Sequence, residues 1–287
     1  MSRDFDPPAE VLRDLVARAL AEDFGILGDL TSIATIPEGT VASAAIVARR
    51  FGVLAGSAAA TEVFRQVDPT IAVEWTVADG ETIDTDQRLA LVEGDLRSIL
   101  GAERTALNLL QHASGIATLT HRYVEACAGR SRIRDTRKTL PGLRALEKAA
   151  VRAGGGFNHR ECLSDAVLIK DNHLAAMDLG TAVARSRARW PGRIIEVECD
   201  TLAQVHEAVA AGADLILLDN MSPDEVRGCV AAVDGLVPLE ISGGVDLETV
   251  GVYSETGAEF ISVGAITHSA PALDLALDFL FDLTPEA

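Results

Sequence analysis

Residues 193–220 read RIIEVECDTLAQVHEAVAAGADLILLDN: an apolar run closed by acids, an amphipathic stretch ending in glycine, and a second apolar run closed by Asp219-Asn220. A strand that is apolar throughout is covered on both faces, and such strands separated by amphipathic helices predict a parallel sheet with right-handed crossovers. The unit recurs on both sides, with strand cores SRIRDTRK (131–138), AVLIKDNH (166–173), VPLEISGG (237–244) and EFISVGA (259–265). Helical patterns such as ALEKAAVRAG (145–154) and SPDEVRGCVAAV (222–233) fall between them. Six strands of this kind predict closure into an α/β barrel. An open doubly wound sheet is the alternative, but no GxGxxG follows a strand to mark a dinucleotide site.

Upstream the rhythm differs. Val11, Leu12, Leu15, Val16, Ala19 and Leu20 recur at helical spacing over residues 9–24 and stop at Gly25. ASAAIVARR (42–50), IAVEWTV (71–77) and QRLALVEG (87–94) read as strands, with a helix ending at Asp68-Pro69 between the first two. The pattern predicts an N-terminal α/β sandwich domain over residues 1–112 and a barrel domain over 113–270, with a helical stretch from Leu96 to Cys127 loosened at Ser114-Gly115. Residues 271–287 read as an amphipathic helix that packs back on the first domain.

A chain of 287 residues with 48% hydrophobic residues can bury a sizeable core, and wholesale disorder is excluded. No apolar stretch approaches the ~18 residues of a membrane helix, and the N-terminus has no apolar h-region. Cys127, Cys162, Cys199 and Cys229 match neither a zinc spacing nor a disulfide framework, so the expectation is a soluble protein of the reduced cytoplasm. The net charge of −18 argues against a general nucleic-acid binder. The charge is uneven, however. Residues 130–170 hold ten Lys/Arg, including all three lysines of the chain, against four acids. Such an island fits a pocket for a small anion, or equally a solvated basic helix face.

In α/β barrels the working residues stand at the C-terminal ends of the strands. Here those ends carry Arg137-Lys138, Lys170, Glu196 with Glu198, Asp219-Asn220, Glu240 with Ser242-Gly243-Gly244, and Gly264. Glycine turns after the last two strands let backbone N–H groups approach a phosphate, and His268 could add a donor there. Glu198 and Asp219 end neighbouring strands, a pair of hard oxygen ligands suited to Mg²⁺, although pairing with Arg137, Lys138 or Lys170 would also satisfy them. Arg137, Lys138, His159, Arg160 and Lys170 form the opposite set, suited to a substrate with several carboxylates. Lys170 alone could instead form a Schiff base, as in barrel aldolases.

The sequence also resembles the quinolinate phosphoribosyltransferase family. The matching stretches are GDLTS (28–32), ERTALNLLQHASGIAT (103–118), DTRKTLPGLRALEKAAVRAGGGFNHR (135–160), SDAVLIKDNH (164–173), IIEVE (194–198), AGADLILLDNM (211–221), EISGG (240–244) and ISVGAITHS (261–269). The resemblance implies a sandwich domain joined to an incomplete barrel, assembled as a homodimer or a dimer-based hexamer. It implies that Arg104, Arg137, His159, Arg160 and Lys170 bind the quinolinate carboxylates, with Arg104 supplied by the neighbouring subunit. It implies that Lys138, Glu198, Asp219, Ser242, Gly243, Gly244, Gly264 and His268 surround phosphoribosyl pyrophosphate and its Mg²⁺, with Lys138, Lys170, Glu198 and Asp219 the catalytic set. Leu140, Cys162, Cys199 and Ile241 depart from the family pattern, and none removes a charged ligand.

Overall fold

The structure, a computed structural model, describes residues 5–280. The chain divides into two compact units, residues 1–119 with 140–155 and 270–287, and residues 120–139 with 156–269.

In the first unit, α1 (Ala9–Phe24) buries Leu12, Leu15, Val16 and Leu20 and stops at Gly25, whose φ of 56° suits glycine. The short α2 (Leu30–Thr35) is capped by Asp29, whose carboxylate accepts the Thr31 and Ser32 N–H groups and the Ser32 hydroxyl. The strands are β1 (Val41–Ala48), β2 (Gly52–Val53), β3 (Ala72–Trp75), β4 (Thr82–Ile83) and β5 (Arg88–Asp95). Between β2 and β3 lies α3 (Ser57–Val67), whose first N–H groups, Gly56 and Ser57, are held by Asp79 at 2.7 and 3.2 Å. The 32-residue helix α4 (Leu96–Cys127) starts where Asp95 accepts the Ser98 N–H at 3.0 Å, and α5 (Arg144–Ala153) belongs to the same unit.

Two expectations are corrected here. The helix α4 runs unbroken through Ser114-Gly115. Gly115 is there for proximity, because a Cβ would lie 2.1 Å from the Pro271 carbonyl oxygen. The segment expected as a helix over 271–287 instead carries a strand, Leu275–Phe279, paired antiparallel with β1 from Ala44↔Phe279 to Ala48↔Leu275. Pairing with the exposed edge of β1 satisfies its backbone in a way a surface helix would not. The sheet order is then that final strand, β1, β5, β3, while residues 281–287 of the expected helix lie outside the described residues.

The second unit holds β6 (Arg132–Arg134), β7 (Val167–Ile169), β8 (Ile195–Cys199), β9 (Leu215–Asp219), β10 (Leu239–Ser242) and β11 (Phe260–Ser262). All pairings are parallel, in the order β6-β11-β10-β9-β8-β7. No ladder joins β6 to β7 among the described residues, so the barrel is incomplete. A single parallel bridge, Arg134↔Phe157, lays the 156–160 segment along the free edge of β6. Helices cover the sheet, with capping boxes at Thr201/Gln204 and Ser222/Glu225 that fix where two of them begin. Ile195, Val197, Ile216, Leu218 and Ile241 are buried in the layer between sheet and helices. Their alternating partners, Glu196, Glu198, Leu217, Asp219, Glu240 and Ser242, have the opposite parity, which points them to the barrel interior.

Candidate active site

At the C-terminal ends of these strands lies a cavity of about 600 Å³. The loop after β6 contributes Thr136, Arg137 and Lys138, and the 156–160 segment contributes His159 and Arg160. Leu168 and Lys170 come from β7 and its end, Glu198 from β8, and Leu217, Asp219 and Asn220 from β9. Glu240, Ser242, Gly243 and Gly244 come from β10 and its turn, and Ser262 from β11. The strand order explains the distribution. The cations stand on β6, β7 and the segment between them, at the open side, whereas the acids and glycines stand on the central strands β8, β9 and β10.

The charged groups are held in specific bonds. The Lys170 ammonium is bonded to Glu198. Asp219 accepts from the Asn220 amide at 2.6 Å, and Asn220 adopts φ 56°, a left-handed conformation uncommon outside glycine. Gly243 packs on it. A Cβ there would sit 2.2 Å from Asn220 Oδ1, and its φ of 96° excludes most other residues. Burial, then the neighbouring Arg137 charge, push the Arg160 guanidinium below its ordinary value, so two like charges share one wall. Arg137 Nε is buried with no partner among the described residues, an orphaned donor of the kind that marks a place for an anion or water.

Beneath the mouth is a polar floor that joins the strand-end acids Glu196 and Glu240 and His159 to Asp135 and Ser262, the two that reading strand ends did not single out. Asp135, fully buried, accepts the Asn158 amide at 2.6 Å and the His159 N–H at 2.8 Å, tying the NHR segment to β6. Glu240 is bonded to Arg134 and to the Ser262 hydroxyl. His159 Nε2 lies 3.0 Å from Glu196 and 3.4 Å from Glu240, while its Nδ1 accepts the Arg160 N–H at 2.7 Å. That pattern assigns the proton to Nε2, and both ring nitrogens are engaged with the protein itself. Burial, reinforced by Glu196, raises the Glu240 carboxyl above its usual range. His159, Glu196 and Glu240 place their ligand atoms within 4.8 Å of one another, a donor set that could hold a divalent metal. Strand parity was the available signal for Glu196 and Glu240. Nothing local marks Asp135 or Ser262.

Three expected site residues lie outside the cavity lining. Arg104 is exposed on α4, in the first unit. Gly264 and His268 stand on the turn after β11, where a Cβ on Gly264 would lie 2.9 Å from Lys138 Cδ. Cys162 is exposed, with its sulfur 3.2 Å from the Ser164 hydroxyl, a bond that lowers its thiol pKa. Cys199, by contrast, is buried behind β8 and its thiol is pushed up to about 12.

An incomplete parallel barrel whose mouth sets clustered cations against carboxylates and glycine turns defines a class: an α/β-barrel protein with a charged cavity at the C-terminal ends of its strands. Two family models match the chain, one after the other. The N-terminal domain of quinolinate phosphoribosyl transferase matches residues 29–114, and the C-terminal domain matches residues 116–278. The chain belongs to the quinolinate phosphoribosyltransferase family. It is 45% identical to the carboxylating nicotinate-nucleotide pyrophosphorylase of Mycobacterium leprae, over 94% of this chain and 97% of that one. It is 41% identical to the probable carboxylating nicotinate-nucleotide pyrophosphorylase of Bacillus subtilis, over 93% of each. The solved nicotinate-nucleotide pyrophosphorylase of Francisella tularensis superposes with a TM-score of 0.91 at 39% identity, covering 95% of this chain and 97% of that one. No helix among the described residues is long and apolar enough to cross a membrane.

Proposed function

We propose that this chain catalyses the transfer of a phosphoribosyl group from phosphoribosyl pyrophosphate to the ring nitrogen of quinolinate, with loss of CO₂, yielding nicotinate mononucleotide and pyrophosphate. The observation that carries the reading is the segregation of charge in the cavity: Arg137, Arg160 and Lys170 at the open side, and Glu198, Asp219 and the Ser242-Gly243-Gly244 turn on the central strands. Quinolinate offers two adjacent carboxylates. Guanidinium forks and a lysine ammonium match them, and the unpartnered Arg137 Nε is one of the donors they would meet. His159 completes that wall and steadies Arg160 by accepting its N–H. The ring lies against Leu168 and Leu217, the apolar side chains of the lining.

The glycine turn after β10 receives the phosphate of the second substrate, with Lys138 as a further cation. Glu198 and Asp219 present hard oxygen donors on adjacent strands, and this all-oxygen donor chemistry fits Mg²⁺ better than the buried His159–Glu196–Glu240 set, which includes an imidazole nitrogen. When bound there, Mg²⁺ supplies charge neutralisation for the departing pyrophosphate. Breaking the bond at the anomeric carbon builds oxocarbenium character, which the anionic side of the cavity favours. The quinolinate nitrogen takes up that carbon and becomes cationic. The 2-carboxylate then leaves as CO₂, its bonding pair remains on ring C2 beside the cationic nitrogen, and a proton completes the product. Lys138 and Lys170, both in the lining, are the candidate donors of that proton. Lys170 is ion-paired with Glu198, whereas Schiff-base chemistry would require a free neutral amine.

The active assembly is a homodimer or a dimer-based hexamer in which the exposed Arg104 reaches the neighbouring subunit's cavity, and the protein works in the cytoplasm. The deciding experiment incubates the protein with both substrates and Mg²⁺ and follows nicotinate mononucleotide and CO₂ together. Equal amounts of both, abolished by chelation, are expected. Neither product from folded protein would overturn the reading.

A further inference from the structure

We propose that Thr267 and Gly264 together form a seat that positions Lys138, so that the turn after β11 sets where this lysine's ammonium stands. The inference rests on the reading that Lys138 meets the phosphate oxygens of phosphoribosyl pyrophosphate. Lys138 is exposed within the loop after β6, and a flexible four-carbon stem there would ordinarily wander. Two contacts hold it. Its carbonyl accepts the Thr267 hydroxyl at 2.8 Å, and Thr267 is 1% exposed, so the donor is fixed by its own burial. The same hydroxyl lies 3.1 Å from the Gly264 carbonyl, but that carbonyl already receives the Thr267 and His268 backbone N–H groups.

The second contact explains the glycine. Gly264 has φ −68° and ψ −30°, a conformation open to any residue, so backbone freedom is not what it supplies. It supplies room: a Cβ there would lie 2.9 Å from Lys138 Cδ and 3.3 Å from His268 Nε2. The lysine stem therefore lies across this turn, held at its main chain by Thr267 and passing over Gly264. Thr267 and Gly264 are positioning residues, acting on the substrate through Lys138.

The test measures KM for each substrate, kcat and thermal midpoint for Thr267→Val, Thr267→Ser and Gly264→Ala, each alone and combined with Lys138→Ala. Loss of one well-placed hydrogen bond is expected to raise KM for phosphoribosyl pyrophosphate about tenfold, leave KM for quinolinate within about twofold, and be restored by Thr267→Ser. In the Lys138→Ala background the same substitutions should have no further effect, the signature of a coupled pair. Losses of equal size in both backgrounds, or equal rises in both KM values, overturn the seat. If Lys138→Ala alone leaves phosphoribosyl pyrophosphate binding unchanged, the role given to Lys138 fails. If Lys138→Ala is damaging and Thr267→Val is silent, only the seat fails. Gly264→Ala, which retains the Thr267 hydroxyl, carries the same test should Thr267→Val not fold.

Discussion

The Lys170 ammonium at the end of β7 is bonded to the Glu198 carboxylate at the end of β8, so the cationic and anionic halves of the cavity meet in one ion pair. If Lys170 binds a substrate carboxylate as proposed, that carboxylate competes with Glu198 for it. Glu198→Gln is therefore expected to tighten quinolinate binding severalfold while lowering turnover about a hundredfold, because the same carboxylate is proposed to serve the metal and the developing positive charge. Calorimetric binding of quinolinate set beside steady-state rates separates the two effects, and weaker binding would contradict the competition.

Arg137 offers a buried, unpartnered Nε to the cavity. Arg137→Ala should weaken quinolinate about 10- to 100-fold, the size expected for losing charge-assisted hydrogen bonds, with a much smaller effect on phosphoribosyl pyrophosphate. Equal losses for both ligands would refute this division of labour. Arg137→Lys should recover only part of the affinity, because a point charge cannot replace a fork.

Arg104 and Lys138 lie in different units of the chain. If Arg104 serves the neighbouring subunit, mixing Arg104→Ala protein with Lys138→Ala protein, each strongly impaired, under conditions of subunit exchange restores wild-type turnover at about a quarter of the sites of a dimer. A mixture no more active than its components means that each site draws both residues from one subunit.

Gly243 combines a φ of 96° with a Cβ direction aimed at Asn220. Gly243→Ala should destabilise the protein by about 2 kcal/mol or more and displace Asn220 from Asp219, so thermal midpoint and activity fall together.

Asp29 caps α2, and its bond to the Ser32 hydroxyl holds its carboxyl below the usual range. Asp29→Ala should cost about 1 kcal/mol in thermal or chemical unfolding at neutral pH. A depressed folded-state pKa contributes stability above the unfolded value that is lost as pH falls through the folded value. The gap between wild type and variant should thus close in acid below the ordinary aspartate range. A gap that persists at the lowest pH would assign it to packing.

The barrel half of this fold is legible in the sequence because short apolar strand cores such as VLI (167–169) and LILL (215–218) alternate with amphipathic helices, and polar residues at the strand ends line the cavity: Lys170, Glu198, Asp219 and Ser242. The final strand is not legible. Asp274 and Asp278 stand four apart, as on a helix face, while Leu273, Leu275, Leu277 and Phe279 alternate, as in a strand. Both periods fit, and the choice falls to β1, more than two hundred residues earlier. Gly115 misleads for a related reason, since its need arises from Pro271, far away in sequence. The floor of the site is hidden similarly: Asp135 reads as one more acid in a charged stretch until the fold brings Asn158 and His159 onto it.

The pairing of β1 with Leu275–Phe279 also bears on the order of events during synthesis. A ribosome delivers β1, β3 and β5 early, and every residue of the second unit emerges before the strand that completes their sheet. The barrel unit can mature while the first sheet still has an open β1 edge, which makes the earlier-synthesised unit the later one to close. Nascent chains arrested before residue 275 should accordingly carry a protease-sensitive first unit and a cation-lined cavity already in place.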